Sequence, residues 1–145
     1  MQVFIENAAG SKRKNTYDER TLEYLRSEDV SAAYPYPYGF VIGTRGGDGD
    51  AVDCFVLTGD ALAPGTIVEC EPAGLIEQVE DGDIDHKVLA GLRGADAAVS
   101  ELAVSALKGF IAGVFAHVPG KRMEIGRVLD RAAAEAYVQD CRDAS

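Results

Sequence analysis

The hydrophobic period of this chain changes near residue 99, and that change limits its possible folds more than any other feature. Before it, short β-branched and aromatic runs alternate with Gly, Pro and Asp turns, the pattern of strands joined by tight connections. Strands are expected over 2–6, 12–18, 52–58, 66–71, 74–79 and 84–90. Beyond the change, Val99, Leu102, Ala103, Ala106, Leu107, Phe110, Ile111, Val114 and Phe115 recur at helical spacing. Asp96 is the expected N-cap and Pro119-Gly120 the stop. A second helix fits 131–141, capped by Asp130. The fold class is therefore α+β: a small barrel of five to six strands with two C-terminal helices that cover it or another subunit. A length of 145 residues fits one domain, 1–145.

Composition narrows the function. The net charge of −10 repels nucleic acid and suits cations, or anions held through cations. The chain lacks an apolar run of about 18 residues, so no membrane span is expected. Its start lacks the basic-then-apolar order of a signal peptide. Cys54, Cys70 and Cys141 are odd in number and form no CxxC pair, which reads as reduced thiols in a cytoplasmic protein.

The most informative segment is Asp48-Gly49-Asp50-Ala51-Val52-Asp53. A straight strand would point Asp53 away from Asp48 and Asp50, whereas a glycine turn can aim all three into one volume. Three such charges stay ionised only if solvated or neutralised by a cation, and hard oxygen donors favour Mg²⁺, Mn²⁺ or Ca²⁺. Taken alone, the segment reads equally well as a solvated acidic turn. It does not fit an EF-hand loop, where Asp53 would stand in place of the glycine and Gly59 in place of the glutamate. A second acidic group, Glu80, Asp81, Asp83 and Asp85, runs into Lys87; by itself it is a hairpin tip with an ion pair. Glu6 ends an apolar strand, Lys12-Arg13-Lys14 is the basic run, and Tyr34-Pro35-Tyr36-Pro37-Tyr38-Gly39 sets three phenols on a stiff backbone. Each of these has an ordinary surface or core explanation.

Their order and spacing together resemble the family I soluble inorganic pyrophosphatases. The shared pattern is a strand-end Glu, a basic segment, an Arg and Tyr-Pro-x-x-Tyr-Gly. D-x-D-x-x-D follows nine residues beyond that glycine, and then an acidic turn closing in D-x-K. The resemblance implies an OB-like barrel, a divalent metal cofactor (Mg²⁺, with Mn²⁺ possible) and hydrolysis of inorganic diphosphate by an activated water. It implies Asp48, Asp53 and Asp85 as ligands of the activating metals, with Glu6, Glu80 and Asp81 as ligands of metals arriving with substrate. Asp50 is then the base, Tyr38 the phenol beside the nucleophile and Tyr34 its neighbour. Lys14, Arg26 and Lys87 are the phosphate-binding cations. A homo-oligomer, commonly a hexamer in bacterial members, is also implied. His86 and His117 receive no catalytic role.

The chain departs from that pattern at Thr16, where the family has Glu, and at Pro37, where it has Asn. His117 is followed by Val118-Pro119 instead of Tyr-Lys, with Lys121 or Arg122 as alternative substitutes that the sequence does not place. A lost charge-assisted phosphate contact, worth about 1.5–3 kcal/mol, weakens binding roughly 10- to 150-fold. Two alternatives stay open at this point: a hydrolase of another phosphoanhydride, and a non-catalytic metal- or phosphate-binding relative.

Overall fold

A computed structural model describes residues 1–142. In chain order it contains β1 (Gln2–Asn7), β2 (Arg13–Tyr17), β3 (Tyr24–Asp29), β4 (Tyr38–Val41), β5 (Asp53–Val56), β6 (Ile67–Glu80), β7 (Asp83–Ile84) and β8 (Lys87–Leu92). Helix α1 (Glu101–Gly113), strand β9 (Met123–Leu129) and helix α2 (Arg131–Asp140) follow. The sheet curls until its pairings close a ring, β1–β4–β5–β8–β6–β1. Strands β5 and β8 run parallel. Strands β7 and β9 extend β6, and β2–β3 form a separate hairpin. That hairpin is tied to β1 by Asn15, whose N–H donates to Asn7 Oδ1 and whose side-chain amide donates to the Glu6 carbonyl.

Alternation along the strands divides the core. Val3, Ile5, Cys54, Val56, Val88 and Ala90 face one side, where Ala134 and Val138 of α2 seal them. Phe55 and Leu89 face the other, against Leu107, Phe110 and Ile111 of α1. Both faces of β5 are therefore covered beyond Asp53, so Cys54, Phe55 and Val56 are apolar and buried without a break. Each of these α1 side chains contributes roughly 1.5–3 kcal/mol of burial. Gly39 permits the tightest approach between strands: a Cβ there would lie 1.7 Å from the Phe4 carbonyl oxygen.

Several expectations are corrected. Segments 66–71 and 74–79 form one strand, β6, because the break at Pro72 is absorbed as a bulge between Pro72 and Gly74. The expected strand 84–90 divides at Asp85-His86 into β7 and β8. Helix α1 starts at Glu101, and its cap is Ser100, four residues after Asp96, accepting from the Ala103 N–H. The helix ends at Gly113, before Pro119, and Leu102 is 82% exposed, outside the buried stripe. Helix α2 keeps the expected Asp130 cap.

Candidate active site

The ends of β1, β5, β6 and β8 and the face of the β2–β3 hairpin open onto one cleft of about 560 Å³. Every site residue expected from the sequence lines it except Asp81. Nine acidic and four basic residues surround the space, so it carries an excess of negative charge.

Lys87 opens β8, and its ammonium is buried at the back of the cleft. It donates to Asp53 Oδ2 at 2.5 Å, to Asp85 Oδ2 at 3.0 Å and to Tyr38 Oη at 3.4 Å. Burial favours its neutral form, but the two carboxylates outweigh burial and push its pKa up. Asp53 shows the converse. Burial would raise it, yet the Lys87 ammonium holds it below its ordinary 3.8. Asp85, at the break between β7 and β8, is pushed up to about 9 by burial and by Asp53 beside it, against the pull of Lys87. Asp53, Asp85 and Glu80 stand in consecutive hydrogen-bond reach, with Lys87 on the first two and Lys121 on Glu80 at 2.6 Å.

Glu6 leaves the end of β1 and accepts from the Tyr17 N–H at 3.4 Å. Burial, then the charge of Asp53, pushes it up to about 8. The 46–50 turn carries the next pair. Gly49, at φ +88°, supplies the left-handed residue, and Asp48 Oδ1 accepts from the Asp50 N–H at 3.0 Å. Burial raises Asp48 despite that bond. Among the described residues no side chain hydrogen-bonds the Asp50 carboxylate, which faces the opening. Tyr34 and Tyr38 stack at 5.3 Å, and Tyr38 packs on Phe55 at 4.8 Å, so these rings serve the core while lining the cleft. Burial pushes both phenols well up, which keeps them protonated.

The hairpin contributes Lys14 and Arg26; Arg26 lies 3.6 Å from Glu28 on the exposed side. Asp81 points away. It adopts φ +50° in the β6–β7 turn, and its Oδ1 accepts from the Arg122 N–H at 2.9 Å. Glu19 carries no motif in the sequence, yet it also lines the cleft, where its Oε1 accepts from the Ala51 N–H at 3.0 Å. Neither histidine lines the cleft: His117 Nδ1 contacts Ser31 Oγ, and His86 accepts from the Gln78 N–H.

Among the described residues no group of three or more His, Cys, Asp or Glu side chains is gathered closely enough to hold a metal ion as it stands. Lys87 occupies the centre, and the carboxylates it leaves uncompensated are all oxygen donors, the set that suits a hard divalent cation.

Residues 3–145 match the sequence pattern of the family described as inorganic pyrophosphatase. An inorganic pyrophosphatase from Nostoc sp. is 38% identical over 93 residues, 62% of this chain and 54% of that protein. One from Nanoarchaeum equitans is 29% identical over 151 aligned positions, 97% of this chain and 94% of that protein. The chain spans about half the length of the curated relatives it matches in Nostoc and in Mycoplasma pneumoniae. A solved inorganic pyrophosphatase from Coxiella burnetii superposes with a TM-score of 0.87 at 28% identity, over 97% of this chain and 92% of that one.

Proposed function

The chain belongs to the inorganic pyrophosphatase family, and on that premise we propose that it hydrolyses inorganic diphosphate to two phosphates. The observation that carries the reading is the convergence of Asp48, Asp50, Asp53, Glu80, Asp85 and Glu6 on one cleft that also holds four cations. A divalent metal cofactor follows from the family, and Mg²⁺, with Mn²⁺ as substitute, is our assignment. Asp48, Asp53 and Asp85 would hold it, with Glu6 and Glu80 completing the oxygen set. We leave Asp81 out, since its carboxylate is turned to the Arg122 backbone. When bound, the ions supply countercharge for the diphosphate and acidity for the attacking water.

The protein's own residues do the rest. Asp50, unpaired and at the opening, accepts the proton of that water. Tyr38 stays a phenol, hydrogen-bonded to Asp53, and is the phenol beside the nucleophile. Lys87 has its three donors engaged, so it acts on the substrate mainly through charge and by keeping Asp53 ionised. Lys14 and Arg26 bind phosphoryl oxygens from the hairpin side, where Tyr34 supports Tyr38. A single domain over 1–145, a cytoplasmic address and a homo-oligomeric, hexameric assembly belong to the same proposal. The family match over 3–145 supports the first and three free cysteines the second. No helix among the described residues is long and apolar enough to cross a membrane.

Phosphate release from diphosphate, ATP and a sugar nucleotide, with Mg²⁺ or Mn²⁺ and then with EDTA, tests the reading. We expect metal-dependent release from diphosphate alone, abolished by EDTA. Preference for ATP or the sugar nucleotide redirects the assignment to another phosphoanhydride. Metal binding without turnover contradicts it.

A further inference from the structure

Four basic side chains line the cleft: Lys87 is held by Asp53 and Asp85, and Arg26 stands on the exposed side, 3.6 Å from Glu28. The other two are arranged around one aromatic ring. Lys14 Nζ lies 5.1 Å from the centroid of Phe115, and Lys121 Nζ lies 4.5 Å from the same centroid. Phe115 follows the end of α1 and lines the cleft with both lysines. A phenyl face attracts ammonium groups without neutralising them, so it can hold two like charges near each other while leaving their N–H donors unused. Lys14 forms no salt bridge among the described residues. Lys121 donates to Glu80 Oε1 at 2.6 Å, which occupies one of its three donors. Its side chain is only 26% exposed, so the ammonium is directed towards the cleft and not extended into solvent.

Resting on the diphosphate reading, we propose that Lys121 is a substrate-binding residue of this chain, acting with Lys14 as a two-ammonium clamp on a phosphoryl group, with Phe115 as the platform. Glu80 orients the Lys121 ammonium and leaves donors for phosphoryl oxygens. The clamp lies in the cleft that holds Lys87 and Asp50, so a small dianionic group can be gripped at the hairpin side while its neighbour is held by the carboxylate side.

The test is calorimetric binding of imidodiphosphate, whose bridging nitrogen resists hydrolysis, in the presence of Mg²⁺. It is paired with Mg²⁺ titration alone, with thermal unfolding and with the KM for diphosphate. Lys121→Gln is expected to weaken imidodiphosphate binding and raise KM roughly 10- to 150-fold, while Mg²⁺ affinity and Tm do not fall. Lys121→Arg should recover most of the loss. Phe115→Leu should weaken binding by about two- to five-fold. Lys108→Gln, on the exposed face of α1, should change nothing. Unchanged imidodiphosphate binding in Lys121→Gln overturns the clamp. So does a loss that merely follows reduced Mg²⁺ affinity or Tm, which would make Lys121 a strut for Glu80. Failure of the unmutated protein to bind imidodiphosphate overturns the diphosphate reading itself, and the clamp with it.

Discussion

Asp50→Asn should lower the turnover of diphosphate by about 10²- to 10⁴-fold, the range of a positioned general base. The amide keeps the size of the side chain but cannot take the water's proton. Its neighbours do not replace it: Asp53 is engaged by Lys87, and Asp48 accepts from the Asp50 N–H. Metal affinity should stay within a few-fold, because Asp48, Asp53 and Asp85 are untouched. Initial rates of phosphate release, with Mg²⁺ binding measured on the same preparation, check both halves. Turnover close to that of the unmutated protein would remove Asp50 from the role of base.

Lys87→Met should destabilise the metal-free protein by about 3–5 kcal/mol, since it strands the buried Asp53 carboxylate. For a chain of this length that corresponds to a drop in Tm of roughly 10–20 °C. The sign with pH follows from Asp53. Its folded pKa lies below its ordinary 3.8, so Lys87 contributes stability above that value, and the contribution is lost as pH falls through the folded pKa. The gap between the two proteins should therefore narrow below about pH 4. Mg²⁺ should restore part of the loss at neutral pH, because an ion can take over the countercharge. A variant as stable as the unmutated protein at pH 7 would mean that Asp53 needs no cation beside it and would contradict this role of Lys87.

The parts of the site that could be read from sequence are those whose geometry is local. Gly49 makes the turn that turns Asp48 and Asp50 into the volume Asp53 reaches from the start of β5. Asp85 and Lys87 are two residues apart at a strand break and meet directly. The illegible parts depend on distant segments. Glu80 and Asp81 are chemically alike neighbours, and only the positive φ at Asp81 sends one into the cleft and the other to Arg122. Phe115 continues the helical period of α1, yet it lies past the helix end, where its ring meets two lysines. Strand β3 is polar after Tyr24-Leu25, and β9 loses its alternation at Gly126-Arg127, so neither carries a clear period. They are held by pairing, β3 with β2 and β9 with β6. Pro72 reads as a strand end because it lacks an N–H, but the ladder to β8 continues past it.

A crystal grown with Mn²⁺ and imidodiphosphate, measured at a wavelength where manganese scatters anomalously, is the most direct measurement. The account predicts anomalous peaks in the cleft at roughly 2.0–2.3 Å from carboxylate oxygens of Asp48, Asp53 and Asp85, with a phosphoryl group between those ions and Lys14 and Lys121. A cleft without manganese at millimolar metal, its carboxylates still held only by Lys87, would contradict it.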